Sequence, residues 1–234
     1  ISSKTCSGKS HMLLSLLYHA AKKGLLNKTK TQIVVFSGSA DTCDDFKSIL
    51  PKAYIRRGFC EQTCLKVLAL HKKKVELRKK QAERSGVPVL QDHLIVILDD
   101  CIGIGNSNVR ESKALSLLAT SGRHMYTSTY VSSQSAVHCL SPLWRLNASC
   151  ILWCNLSQNH LKYIWQCTTG KSWKDFLEFT NSLGQWEFAY YDNSHKNSGF
   201  HKVKAEQFPK GKFFLMDKSM EKKKGKGKKK KDTQ

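Results

Sequence analysis

The chain has 234 residues, of which 40% are hydrophobic and 9% are aromatic. This composition supports one sizeable core and excludes a wholly disordered chain. The formal charge of +21 indicates a polyanionic partner, with nucleic acid favoured over an anionic membrane surface.

The first half of the chain alternates helix and strand patterns. Residues 10–24 place apolar side chains on one helical face and end at a glycine, which predicts a helix. Residues 31–38, TQIVVFSG, are typical of a buried parallel strand. Residues 64–85 lack glycine and proline and predict a long basic helix, interpreted as a solvated face in preference to a DNA-tracking one. Residues 93–100, HLIVILDD, predict a strand that ends at two aspartates.

The second half continues the alternation. Helix and strand patterns follow in turn at residues 110–122 (helix), 125–134 (strand), 142–148 (short helix), 150–155 (strand) and 157–167 (helix). Residues 185–192 and 198–205 predict a terminal β-hairpin. Together these patterns predict an α/β fold with a mostly parallel central sheet and helices on both faces.

The last part of the chain has a different composition. From about Pro209 the apolar pattern fades, and residues 222–231, KKKGKGKKKK, repel one another and bury nothing. We predict a folded domain over residues 1–208 and a disordered basic tail over residues 209–234. The lysines of the tail are candidate DNA contacts, with a nuclear-localisation or solubilising role as the alternative: Lys222, Lys223, Lys224, Lys226, Lys228, Lys229, Lys230 and Lys231.

The segment SSKTCSGKS, residues 2–10, ends like a phosphate-binding loop before its helix. Ser3 stands where the pattern G-x-x-x-x-G-K-[ST] has glycine, at a cost of order 1 kcal/mol if that turn needs positive φ. Backbone N–H groups would hold the phosphates, Lys9 would reach the β and γ phosphates, and the Ser10 hydroxyl would bind Mg²⁺. An ordinary helix start is the alternative. The predicted nucleotide contacts are Ser3, Thr5, Cys6, Ser7, Gly8, Lys9, Ser10 and His11.

Acidic and polar residues stand at the ends of two later strands. Phosphate transfer needs one carboxylate for the Mg²⁺ shell and a second group for the attacking water, and Asp99 and Asp100 fit that need. The alternative is a pair of capping aspartates. Gln134 could contact the γ phosphate or the water, and Arg123 could reach a neighbouring subunit as an arginine finger. A surface glutamine and a helix-end arginine are as consistent with spacing alone.

Five segments together carry a family resemblance. In their order and rough spacing, CSGKS, ILDD, TSGRH, the strand ending at Gln134 and SPLWRLNAS resemble the DNA-packaging ATPases of nucleocytoplasmic large DNA viruses and virophages, in the FtsK/HerA superfamily of P-loop NTPases. The resemblance covers roughly residues 1–165. It implies a RecA-like ATPase core that uses ATP and Mg²⁺, forms a hexameric or pentameric ring, and drives double-stranded DNA into a preformed capsid.

The resemblance also implies roles by position. Lys9 and Ser10 would contact phosphate and Mg²⁺, Asp99 would hold the metal-bound water, and Asp100 would activate the attacking water. The family has a hydrophobic strand before the loop, where this chain has only Ile1 and Ser2. We therefore predict that the first strand is truncated.

Two further roles follow from the resemblance. Gln134 is similar to the family's sensor residue, and Arg123 is similar to its candidate arginine finger. Arg145 in PLWRLN is the alternative finger.

The predicted function is an ATP-driven motor that moves viral double-stranded DNA into capsids. The alternatives are another P-loop translocase or helicase-like ATPase, a nucleotide kinase, and a basic nucleic-acid-binding protein with a decayed nucleotide site. Nine scattered cysteines favour reduced thiols, and no apolar stretch approaches the ~20 residues of a membrane span. We expect the protein inside the infected host cell, in a viral factory, the cytoplasm or the nucleus, and also associated with the virion.

Overall fold

Helices and strands alternate through most of the described part of the chain, which ends with two helices followed by two strands. The computed structural model describes residues 1, 8–24, 26, 30–50, 53–89, 91–101, 112–135, 142–168, 172–193 and 199–206. The elements within these ranges are, in chain order, α1 (Lys9–Lys22), β1 (Thr31–Ser37), α2 (Ala40–Ile49), β2 (Tyr54–Arg57), α3 (Glu61–Ser85), β3 (His93–Asp99), α4 (Lys113–Ser121), β4 (Thr127–Ser132), α5 (Pro142–Asn147), β5 (Cys150–Trp153), α6 (Gln158–Trp165), α7 (Trp173–Asn181), β6 (Glu187–Asp192) and β7 (Gly199–Lys204). A 3₁₀ turn, Arg123–Met125, joins α4 to β4.

The first sheet is parallel throughout, with strand order β2-β1-β3-β4. Its central strands β1 and β3 are continuous apolar runs because helices cover both faces of the sheet. The pairing register places Ser37 beside Asp99 and Asp99 beside Ser132. Three strands therefore present polar side chains at one carboxyl edge.

Alternate side chains of the central strands enter two separate apolar layers. Val34, Phe36 and Val96 pack with side chains of α3 and α4 on one face. Val35 and Ile97 pack with side chains of α1 and α2 on the other face. Because all five side chains are at most 1% exposed, the two layers hold the strands that carry the polar edge.

A second sheet has the order β5-β6-β7 and is antiparallel. Its β6 and β7 form the predicted terminal hairpin, and its core stacks the ring of Trp153 on that of Phe176. The alternation of patterns had placed β5 among the parallel strands, but β5 pairs antiparallel with β6. Alternating patterns indicate strands without indicating their direction, which depends on partners distant in the chain.

Ile1 lies along the outer edge of β4. Its amino group donates to the carbonyl oxygen of Val131 at 2.7 Å, and its own carbonyl oxygen accepts from the Ser133 amide at 2.9 Å. The predicted truncation of the first strand stays a prediction, and so does the tail, because residues 207–234 lie outside the described residues. Among the helices of the described ranges, none is long and apolar enough to cross a membrane.

Candidate functional site

The start of α1 brings a lysine into the protein interior. Gly8 precedes the helix with φ of 83°, in the left-handed region that glycine adopts at little cost, and its carbonyl oxygen accepts from the Met12 amide at 2.8 Å. The next residue, Lys9, is only 5% exposed. Its Nζ lies 3.5 Å from Oδ2 of Asp100, so the buried ammonium faces an opposite charge.

Asp99 lies between two serine hydroxyls at the carboxyl end of β3. Ser10 Oγ donates to its Oδ2 at 3.1 Å, and Ser132 Oγ donates to its Oδ1. Burial, and secondarily the charge of Asp100, raises the pKa of Asp99, while the two serines and Lys9 oppose that rise. The arrangement therefore holds a carboxylate whose charge is poorly compensated by its own surroundings.

Asp100 leaves the strand in an unusual backbone conformation. Its φ is 45°, a region that non-glycine residues enter infrequently, and its amide donates to the Ser132 carbonyl oxygen at 3.0 Å. The side chain is 25% exposed, and Nε2 of Gln134 lies 3.5 Å from its Oδ2. Gly38 allows this turn, because a Cβ there would lie 2.2 Å from the Asp100 carbonyl oxygen.

These side chains fit a metal and a phosphate chemically. The Ser10 hydroxyl and the Asp99 carboxylate supply the oxygen ligands that Mg²⁺ prefers. Lys9 supplies a buried cation at a helix N-terminus, where the backbone also favours anions. The predicted residues Lys9, Ser10, Asp99, Asp100 and Gln134 therefore lie together at one edge of the sheet.

The structure places Arg123 elsewhere. It is exposed in the 3₁₀ turn before β4, at the amino end of that strand, whereas Gln134 follows the carboxyl end. The six residues of β4 separate the two ends by about 20 Å. Arg123 therefore does not enter the site of its own chain.

The remaining predicted contacts lie on α1 or outside the described residues. His11 lies half-buried on α1, and residues 2–7, the side chain of Arg145 and the tail lysines lie outside the described residues. Their roles stay predictions.

Three residues near the site were not predicted from the sequence. Ser132 was visible as a hydroxyl near the end of a predicted strand, although its place beside Asp99 was not. Gly38 was visible as the glycine closing β1, although its contact with Asp100 was not. Trp186, which packs against Gly8, gave no local signal because it follows α1 by more than 160 residues.

The parallel sheet brings this helix start, two acids and a polar strand end to one edge. This arrangement is that of the RecA-like α/β fold of P-loop NTPases, as predicted. Solved structures share the fold. The genome packaging NTPase B204 from Sulfolobus turreted icosahedral virus 2, in complex with ATP-gammaS, has a TM-score of 0.54 and 17% identity over 86% of this chain and 93% of that chain.

Two further structures match over parts of longer chains. EssC (ATPases 2 and 3) from Geobacillus thermodenitrificans has a TM-score of 0.60 and 16% identity over 82% of this chain, which spans 36% of that chain. The pCW3 conjugation coupling protein TcpA, a monomer form with ATPgS, has a TM-score of 0.53 and 12% identity over 93% of this chain and 60% of that chain. No family model and no curated protein sequence matches.

Proposed function

We propose that this protein is an ATPase motor that translocates double-stranded DNA, and that it packages viral DNA into preformed capsids. The observation that carries the proposal is the meeting of Lys9, Ser10, Asp99 and Asp100 at the carboxyl edge of the parallel sheet. Ligands bind at this edge in open α/β folds, and the start of α1 favours an anion there.

Binding of a nucleotide would redistribute the charges of the site. Lys9 would move from Asp100 to the phosphate oxygens, which carry more negative charge than a single carboxylate. Ser10 and Asp99 would hold Mg²⁺, which when bound neutralises charge on the β and γ phosphates. The bound cation would also stabilise the ionised form of Asp99, which burial disfavours.

Asp100 is the residue suited to activate water. It is the more exposed acid, and departure of Lys9 would free its carboxylate to accept the proton of the attacking water. Gln134, 3.5 Å from that carboxylate, would orient the water or respond to loss of the γ phosphate. Asp100 would thus be able to act as the base only when a phosphate group binds Lys9.

DNA and a ring are the partners we propose. The charge of +21 suits a polyanion, and the lysines of residues 222–231 would bind the phosphate backbone without sequence preference. Similarity to a genome packaging NTPase supports the packaging role, with a capsid shell as a further partner. Similarity to a conjugation coupling protein keeps another DNA translocase as the second candidate.

ATP hydrolysis with and without double-stranded DNA tests the proposal. We expect Mg²⁺-dependent turnover that DNA stimulates. Lys9→Ala should abolish nucleotide binding because it removes the buried cation, and Asp100→Asn should keep binding and lose roughly 10²–10⁴-fold in turnover because it removes the base. The exposed substitutions Lys174→Ala and Asp41→Asn serve as matched controls.

The same assay separates the alternatives. ATP turnover that DNA does not change would favour a nucleotide kinase. DNA binding without ATP turnover would indicate a decayed nucleotide site. Deleting residues 222–231 removes eight lysines and lowers the formal charge to +13. The slope of log affinity against log salt should then fall by about 0.9 for each DNA phosphate that the shortened chain no longer neutralises. An unchanged slope would leave only a localisation or solubilising role for the tail.

A further inference from the structure

An exposed tryptophan packs on the glycine that precedes α1. A Cβ placed on Gly8 would lie 2.7 Å from Cζ3 and 2.8 Å from Cε3 of Trp186. The edge of the indole therefore lies directly on the backbone next to Lys9. The side chain is still 46% exposed, so much of its apolar surface is left for a further contact.

The backbone of Trp186 is held in a strained conformation. Its φ of 64° is rare for a bulky residue. Neighbouring hydrogen bonds enforce it, since the Ala205 amide donates to the Trp186 carbonyl oxygen at 3.1 Å and the Glu187 amide donates to that of Gly184 at 3.2 Å. Strain of this kind persists only where the surrounding structure imposes it, and it concentrates at functional sites.

Trp186 also lines a cavity of about 450 Å³, a volume within the range of small-molecule sites. Three residues with amide side chains, Asn155, Asn181 and Gln185, are among those that line the same cavity. An amide presents both a donor and an acceptor, which matches the mixed donors and acceptors on the edges of a base. An aromatic ring supplies the complementary stacking surface.

We propose that this cavity receives the nucleobase and ribose of a purine nucleoside triphosphate, with the base stacked on the Trp186 indole. Trp186 is suited to this role because it both lines the cavity and contacts Gly8, next to the lysine that would hold the phosphates. The inference rests on the proposed function for the phosphate contacts. It adds a specificity-determining residue and the part of the substrate that this residue contacts.

The test compares ATP with inorganic triphosphate, which has no base. Affinities of both for the full chain are measured with Mg²⁺ in the unmodified protein, Trp186→Ala and Trp186→Phe. We expect Trp186→Ala to weaken ATP about tenfold or more and to leave triphosphate unchanged, while Trp186→Phe keeps most of the ATP affinity by stacking. Trp165→Phe, in a tryptophan that packs on Trp173 and not on Gly8, is the matched control.

Each outcome decides the inference. Unchanged ATP affinity, or equal weakening of both ligands, would overturn it, the latter because Trp186 would then only support Gly8. If the unmodified protein bound neither ligand, the proposed function would fail and this inference with it. If Trp186→Ala does not fold, Gln185→Ala gives the same comparison, because it alters the cavity at an exposed side chain. We expect Gln185→Ala to weaken the binding of ATP and not that of triphosphate. An unchanged ATP affinity, or equal weakening of both ligands, would contradict the inference.

Discussion

Asp99 combines near-complete burial with an adjacent carboxylate. Only 2% of the residue is exposed, and burial raises the pKa of the carboxyl above its ordinary 3.8. The folded protein therefore binds more protons than the unfolded chain in the window above 3.8. In the absence of Mg²⁺ and nucleotide, this group makes the free energy of unfolding fall as pH rises through that window, until the raised pKa is passed.

Replacing Asp99 with asparagine should remove this penalty. We expect nucleotide-free Asp99→Asn to melt at a higher temperature than the unmodified protein at neutral pH, by about 2–4 °C for each kcal/mol gained. The difference should narrow as pH falls through the raised pKa of Asp99, because the unmodified carboxyl then becomes protonated. Melting curves in chelator from pH 4.5 to 8 test this, with Asp41→Asn as the control. A difference that does not vary with pH would contradict the assignment of the charge penalty to Asp99.

At the scale of elements, a buried histidine joins α3 to the turn that carries Arg123. Nε2 of His71 lies 2.7 Å from the Met125 carbonyl oxygen, so the neutral ring donates there, and the residue is 2% exposed. Burial lowers the pKa of His71 below its ordinary 6.5, against the opposing effect of the carbonyl. Below pH 6.5 the unfolded chain binds more protons, so acidification through that window costs stability.

His71→Leu should break this connection and leave the Met125 carbonyl oxygen with only the longer hydrogen bond from the Thr127 hydroxyl, at 3.3 Å. We expect a loss of about 0.5–1.5 kcal/mol, and a weaker fall of the melting temperature between pH 6.5 and 5.5 than in the unmodified protein. His71→Gln, which keeps a donor, should recover part of the stability. His160→Leu on α6 controls for loss of a histidine. An unchanged melting temperature in His71→Leu would show that the hydrogen bond contributes nothing.

Elements with strong apolar patterns were the predictable ones. The sequence predicted α1, α3, β1 and β3, because each has a continuous run or helical stripe of buried apolar residues. It missed α2, whose ten residues include three aspartates, the nine-residue helix α7, and the four-residue edge strand β2, which is largely exposed. In α2 and β2, contacts with neighbouring elements outweigh a weak local pattern.

At the scale of the whole molecule, Arg123 can serve only a site other than its own. It is exposed at the amino end of β4, about 20 Å from the carboxyl edge. If a ring brings it to a neighbour, Arg123→Ala should lower turnover by ~10³–10⁵ without changing the melting temperature.

Mixed assemblies test this role of Arg123. Arg123→Ala and Asp100→Asn subunits should each be inactive alone and partly active together, because some interfaces then combine an intact arginine with an intact acid. Absence of recovered turnover, with assembly confirmed, would favour Arg145 as the arginine finger.

Long-range contacts mark the limit of prediction from the sequence at this scale. The proximity of Lys9 to Asp100 followed from a general rule, since parallel strands carry polar ends to one edge. The packing of Trp186 on Gly8 follows from no such rule. It depends on how the antiparallel sheet lies against α1, which involves residues that no local pattern connects.

The narrow space around Gly38 limits which residues this position can accept during evolution. Any side chain there would collide with the Asp100 carbonyl oxygen, which is fixed backbone and cannot move aside as a flexible side chain would. A substitution at Gly38 would therefore displace Asp100. Homologues that lost the glycine would lose the geometry of the site with it. The lysines of α3 point largely to solvent and face no such barrier, so divergence should accumulate there first.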